Sequence, residues 1–143
     1  MADIVTDAVN GVYNLINDDV SFGNVYAKHN EANLALPGIT IGPESVVPRE
    51  DESFSTDGAH GTPWDVTVSV RIHVAYTGGV LNQSGLVALV DDVILKLKKN
   101  HAAITSFALG TVAVEFDRSF VESETIGAQV NATYLTHDEY TQE

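Results

Sequence analysis

From Trp64 to Tyr76 the chain alternates without a break. Trp64, Val66, Val68, Val70, Ile72, Val74 and Tyr76 are separated by Asp65, Thr67, Ser69, Arg71, His73 and Ala75. Successive side chains of a strand leave opposite faces of a sheet. A period of two held this long therefore specifies a strand with one buried side and one side facing solvent or a partner. At about 3.3 Å per residue the run spans roughly 43 Å, well over twice an ordinary strand. It is expected to be a long central or edge-crossing strand, part of which projects beyond the domain toward a neighbouring molecule.

A chain of 143 residues makes one domain, large enough to bury a continuous core without staples. The absence of cysteine removes disulfides, thiolate metal sites and cysteine nucleophiles together. No segment approaches the ~18 continuous apolar residues of a membrane helix, and the start, Met-Ala-Asp-Ile-Val-Thr-Asp, lacks the basic opening of a signal peptide. The expectation is a soluble chain that is intracellular when made. Twenty acidic against seven basic residues give a net charge of -13, a field that opposes binding to nucleic-acid phosphates. Plain solubility, adaptation to high salt, and an acidic surface past which DNA slides all fit that charge.

Residues 2 to 17 place Ile4, Val5, Ala8, Val9, Val12 and Ile16 on one side of a helix, with Asp3 and Asp7 where the macrodipole favours anions. Gly11 inside it costs about 1 kcal/mol relative to alanine, so packing must hold the helix. Leu34 to Ile41 reads as a short strand entered through Pro37, and Val46 and Val47 as a second extended piece. Residues 49 to 63 form the one candidate long loop, with Phe54 as its single large apolar side chain; loops of that length in a compact domain tend to be functional or disordered. After Gly78 and Gly79, Asn82 or Ser84 caps a second helix that runs to Lys99, with Leu86, Val87, Leu89, Val90, Val93, Ile94 and Leu97 as its apolar stripe. Phe107 to Asp117 and Glu124 to Leu135 read as an antiparallel hairpin, and the polar tail 136 to 143 is expected to fray unless a partner captures it. The fold class is therefore α+β: one mixed or antiparallel sheet of about four strands, a long central strand, a C-terminal hairpin, and two helices on the apolar face.

Searching the same residues for chemistry finds little. Gly78 and Gly79 lack the following Gly and Lys-Ser or Lys-Thr of a phosphate loop, and Ser84-Gly85 fits a helix start better than a nucleophile elbow. The histidines 29, 60, 73, 101 and 137 stand alone, without the three- or four-residue spacing of metal ligands. Asp91 with Asp92 reads as a solvated helix face, and Glu115 with Asp117 as one side of a strand. Aromatic residues do not interleave with Lys or Arg as a single-strand platform requires. Trp64 and Tyr76 read as core or interface anchors, with the core favoured for Trp64.

The N-terminal helix, the strand around Leu36-Pro37-Gly38-Ile39-Thr40-Ile41, the long strand Val66 to Tyr76, the helix carrying Leu86 to Leu97, and the hairpin ending Val130-Asn131-Ala132-Thr133-Tyr134 together resemble the tail terminator, or tail completion, proteins of long-tailed phages and related viruses. The resemblance covers most of the chain in the order and length of its elements. It implies a virion protein, made in the host cytoplasm, whose copies close into a ring, usually a homohexamer. The ring would cap the tail tube and join it to a head-side neck protein, with DNA passing through the hole. It implies no reaction, no catalytic residue, no cofactor and no metal. Subunit contacts are then expected on the loop and on the polar side of the long strand, at Asp51, Glu52, Phe54, Arg71 and His73. The alternatives are another tail or neck subunit, such as a tube or head-closure protein, and a small α+β ligand-binding domain or enzyme.

Overall fold

The computed structural model describes residues 4–18, 22, 24–27, 38–49, 54–56, 59–75, 80–104, 107–117 and 125–141. In chain order its elements are α1 (Ile4–Asn17), β1 (Asn24–Tyr26), β2 (Gly38–Pro48), β3 (Phe54–Thr56), β4 (Ala59–Ala75), α2 (Val80–Lys99), β5 (Ala108–Asp117) and β6 (Thr125–Thr141). They build an α+β fold whose mixed sheet has the order β1-β2-β4-β6-β5, with β3 paired to β4 off that path. β1 lies parallel to β2, and the other pairs are antiparallel. The four expected strands are thus present as β2, β4, β5 and β6, and the three-residue strands β1 and β3 are additions.

The even-numbered series of β4 seeds the core. Val66, Val68, Val70 and Ile72 are fully buried, and they meet Ile39 and Ile41 of β2 and Val130, Ala132 and Tyr134 of β6. Onto this face pack Ala8, Val12 and Ile16 of α1, spaced four apart, and Leu86, Val90, Val93 and Leu97 of α2. Complete burial of each such aliphatic side chain contributes about 1.5–3 kcal/mol, so this one cluster accounts for the placing of both helices. The end of α2 carries Lys96, Lys98 and Lys99 in its last turn, where cations are favoured. Asn100 closes it by donating from Nδ2 to the Lys96 carbonyl at 2.8 Å. Its start lies at Val80, so Asn82 and Ser84 sit inside the helix and not at its cap.

Two bulges keep the edge strands in phase with the core. Between Pro43 and Ser45 the register of β2 on β4 slips by one residue at Glu44. Ile39 and Ile41 before the slip, and Val46 and Pro48 after it, therefore face the same side. Val47 is thrown to the other side and is 53% exposed. A matching shift between Leu109 and Thr111 puts Leu109 in line with Val112 and Val114 on the apolar face of β5.

Two expectations are corrected. The stretch read as a long loop over 49 to 63 contains β3 and the start of β4, with Phe54 opposite Gly61 and Thr56 opposite Ala59. The stretch read as a fraying tail continues β6 to Thr141, in register with β4 out to Ala59. Neither segment has an apolar alternation of its own. Each is extended because the other supplies its backbone partners, which satisfies N–H and C=O groups that periodicity does not report. The long strand is thus 17 residues against the thirteen of the alternating run. Tyr76, Gly78, Gly79, the run 28 to 37 and the connection 118 to 124 lie outside the described residues.

Candidate functional site

The odd-numbered side of β4 faces away from both helices. Read across the sheet from β2 through β4 and β6 to β5, its rows are Gly38–His73–Gly127, Thr40–Arg71–Gln129–Glu115, Gly42–Ser69–Asn131–Ala113 and Ser45–Thr67–Thr133–Thr111. Residues directly opposite on neighbouring strands share a face, so period two on two central strands produces a continuous polar surface from sequence alone.

Hydrogen bonds tie this surface together. Thr67 and Thr133 join hydroxyl to hydroxyl at 2.8 Å, Arg71 Nε donates to Gln129 Oε1 at 3.1 Å, and Gln129 Nε2 donates to Asn131 Oδ1 at 2.9 Å. Ser69 Oγ donates to the Gly42 carbonyl at 3.2 Å. At the end nearest β3, Arg49 Nε reaches Asp65 Oδ2 at 2.9 Å in a partly exposed ion pair, of a kind worth about 0–1 kcal/mol. Among the described residues, these bonds form a polar ladder that crosses β4 and β6 and reaches β2.

Access to it is uneven. Thr40 and Ser69 are fully buried and His73 is only 6% exposed, whereas Asp65, Thr67, Arg71, Gln129, Asn131 and Thr133 are half-buried and Thr111, Ala113 and Glu115 are exposed. Of the expected contact residues, Arg71 and His73 are therefore two residues apart on one face, with Arg71 the more accessible. Phe54 is in β3, five residues past Arg49, where the described β2 segment ends, and across from Gly61; its side chain, like Asp51 and Glu52 altogether, lies outside the described residues. Gln129, Asn131 and Thr133 were not singled out from the sequence. The signal was present: they alternate with Ala128, Val130, Ala132 and Tyr134, which are buried in the core.

Past Trp64 and Thr136 the sheet narrows to a ribbon of β3, β4 and β6, paired from Pro63 with His137 out to Ala59 with Thr141. At about 3.4 Å per residue those five pairs carry the ribbon roughly 17 Å beyond the last row shared with β2. Trp64 marks the junction: half-buried against the core, it has an indole Nε1 with no hydrogen-bond partner among the described residues.

Elsewhere the described residues offer little for chemistry. An open groove of about 470 Å³ runs along α1 between Asp7, Asn10, Asn14 and Asp18 on one side and Ala103 and Ile104 on the other. Among the described residues no three His, Asp or Glu side chains gather as metal ligands, and no helix is long and apolar enough to cross a membrane. Tyr134 is fully buried, edge-on to Phe107 with ring centroids 6.4 Å apart. Desolvation pushes its hydroxyl from 10.0 up to about 12. It lies on the helix-covered side, so the shift belongs to the core and not to a site. Compared with known proteins, the sequence matches no family model, and no curated protein is significantly similar to it.

Proposed function

We propose that the chain is a structural subunit of a viral tail, of the tail-terminator kind: its copies close into a ring that caps the tail tube and meets the head-side neck, with DNA passing through the hole. The observation that carries the reading is the division of labour in the sheet. One face packs against both of the chain's helices, and the opposite face is polar, has no described helix against it, and is continuous with a ribbon that outruns the core. Such a subunit has two unlike surfaces. Head-to-tail contacts between unlike surfaces generate closed rings when the rotation per copy closes. The net charge of -13 suits a passage that must not hold DNA, because acidic side chains repel phosphate.

The function is mechanical. One surface of the ring ends tube growth and the other receives the neck, so no bond is made or broken. Electron microscopy of the purified protein, with mass measurement in solution at low and high salt, tests it: discs of uniform diameter are expected. Long tubes would replace this reading with a tube protein. A strict monomer that is stabilised by a small ligand or metal in a thermal-shift screen would replace it with a ligand-binding domain.

A further inference from the structure

The two edges of the sheet are built differently. On the β2 side, β1 covers only Gly38 to Thr40. The rest of that edge carries Pro43 and Pro48, which have no N–H to offer, and the bulge at Glu44. Prolines and bulges are the usual means of blunting an edge against further pairing. On the other side β5 has none of them over most of its length. Ala108–Asp117 contains no proline and no lysine, and no described strand lies against its outer side. Among the described residues its start alone is engaged outside the sheet, where the Leu109 N–H donates to the His101 carbonyl at 3.3 Å. Beyond that point Phe116 is 54% exposed, Val112 and Val114 are half-buried, and Ala113 and Glu115 are exposed.

We infer that β5 is a docking edge for β5 of a second copy, paired antiparallel about a two-fold axis through Val114. This goes beyond the ring reading and does not rest on it. The register follows from the side chains. With Val114 opposite its own copy, Val112 meets the partner's Phe116 on the apolar side, and Ala113 meets the partner's Glu115 on the polar side. Aromatic with β-branched pairs are favourable across strands, and no two like charges stand directly opposite. The pairing also stays clear of Leu109 and of the bulge beside it. A two-fold axis perpendicular to the sheet keeps the helices of both copies on one side and joins the two polar faces into one. A ring-forming chain would carry the same contact to a second ring, as an even-numbered assembly. Five residues a side is small against the roughly 1,200–2,000 Å² of stable interfaces, so the pair is reversible and concentration-dependent.

The chain has no cysteine, which makes the register directly readable by cross-linking. Val114→Cys is expected to oxidise to a disulfide-linked dimer, because only the residue on the axis faces itself within the Cα reach of a disulfide. Val112→Cys and Phe116→Cys should each link poorly alone and efficiently when mixed. Independently, Ala113→Glu sets like charges opposite the partner's Glu115 twice per pair and should weaken association roughly 2- to 30-fold, while Ala113→Lys should strengthen it by a similar factor. Equal cross-linking of the three single cysteine variants, or a shift of the same sign from Ala113→Glu and Ala113→Lys, would overturn the pairing. Neither readout depends on whether discs are seen by microscopy.

Discussion

Gly11 offers the most informative single substitution. An alanine Cβ at this position would lie 2.8, 2.8 and 2.9 Å from Cδ1, Cγ2 and Cγ1 of Ile104, where ordinary carbon contacts are about 3.5–4.0 Å. Three atoms of one branched side chain would have to move, and two of them are not at its flexible end. Overpacking of this kind costs about 1–3 kcal/mol. Against it stands a gain of about 1 kcal/mol for replacing glycine inside a helix. The net expectation for Gly11→Ala is a loss of roughly 0–2 kcal/mol, with each kcal/mol lowering Tm by about 3–4 °C in a domain of this size. The sign should reverse once Ile104→Ala has removed all three contacting atoms, and Gly11→Ala should then stabilise by about 1 kcal/mol. The four proteins of the cycle can be compared by urea unfolding at one protein concentration, with Trp64, the single tryptophan, as the fluorescent reporter. A coupling of about 1–3 kcal/mol is expected. Equal effects of Gly11→Ala with and without Ile104 would show that the close approach does not exist, and with it the packing of the 101–104 segment on α1.

Other expectations follow from the core and the charge. Ile72→Ala, at a fully buried position, should cost about 2–5 kcal/mol in the same unfolding assay, whereas Thr67→Ala on the opposite face should cost about 1 kcal/mol or less. Tyr134 keeps its proton to a higher pH folded than unfolded, to about 12 against 10.0. Stability is therefore intact below pH 10 and falls as pH rises through 12, by about 2–3 kcal/mol if the whole shift is realised. Tyr134→Phe should abolish that alkaline step and leave stability at neutral pH unchanged or raised, since its hydroxyl has no bonded partner among the described residues. With a net charge of -13, melting temperature should rise between low salt and about 0.5 M salt as self-repulsion is screened; a fall over that range would point instead to ion pairs such as Arg49 with Asp65 as the dominant electrostatic contribution.

Where side chains alternate, the sequence and the fold agree closely. The series Val66 to Val74 names the covered face of β4, and the matching series in β6 names its neighbour, because both strands obtain their register from burying one side. The helices were legible for the same reason at a different period. What escaped reading was extended structure held only by backbone pairing. Gly61, Thr62 and Pro63 have turn chemistry, and His137 to Thr141 are polar, so neither stretch announces a strand until the other is laid beside it. The bulges at Glu44 and Gly110 were equally silent, because a one-residue slip in register appears only when two strands are compared. The same holds for the candidate surface. Period two put Arg71 and His73 on one side, but the near-complete burial of His73 and the bond from Arg71 to Gln129 depend on β2 and β6, which the local pattern does not place. That β5 is an edge, and that its lack of proline therefore matters, follows only from strand order.

The blunted flank of β2 has a consequence for what the chain cannot become. A sheet with two receptive flanks adds copies at both, and nothing limits the number, which is how side-by-side strand pairing runs on into fibres. Among the described residues, Pro43, Pro48 and the extra residue at Glu44 blunt the β2 flank beyond β1, so under the β5 pairing inferred above, association stops as soon as one copy has been met. Replacing both prolines with valine and deleting Glu44 would remove that stop. The altered chain is expected to thicken into fibrils at concentrations where the natural one stays clear in solution.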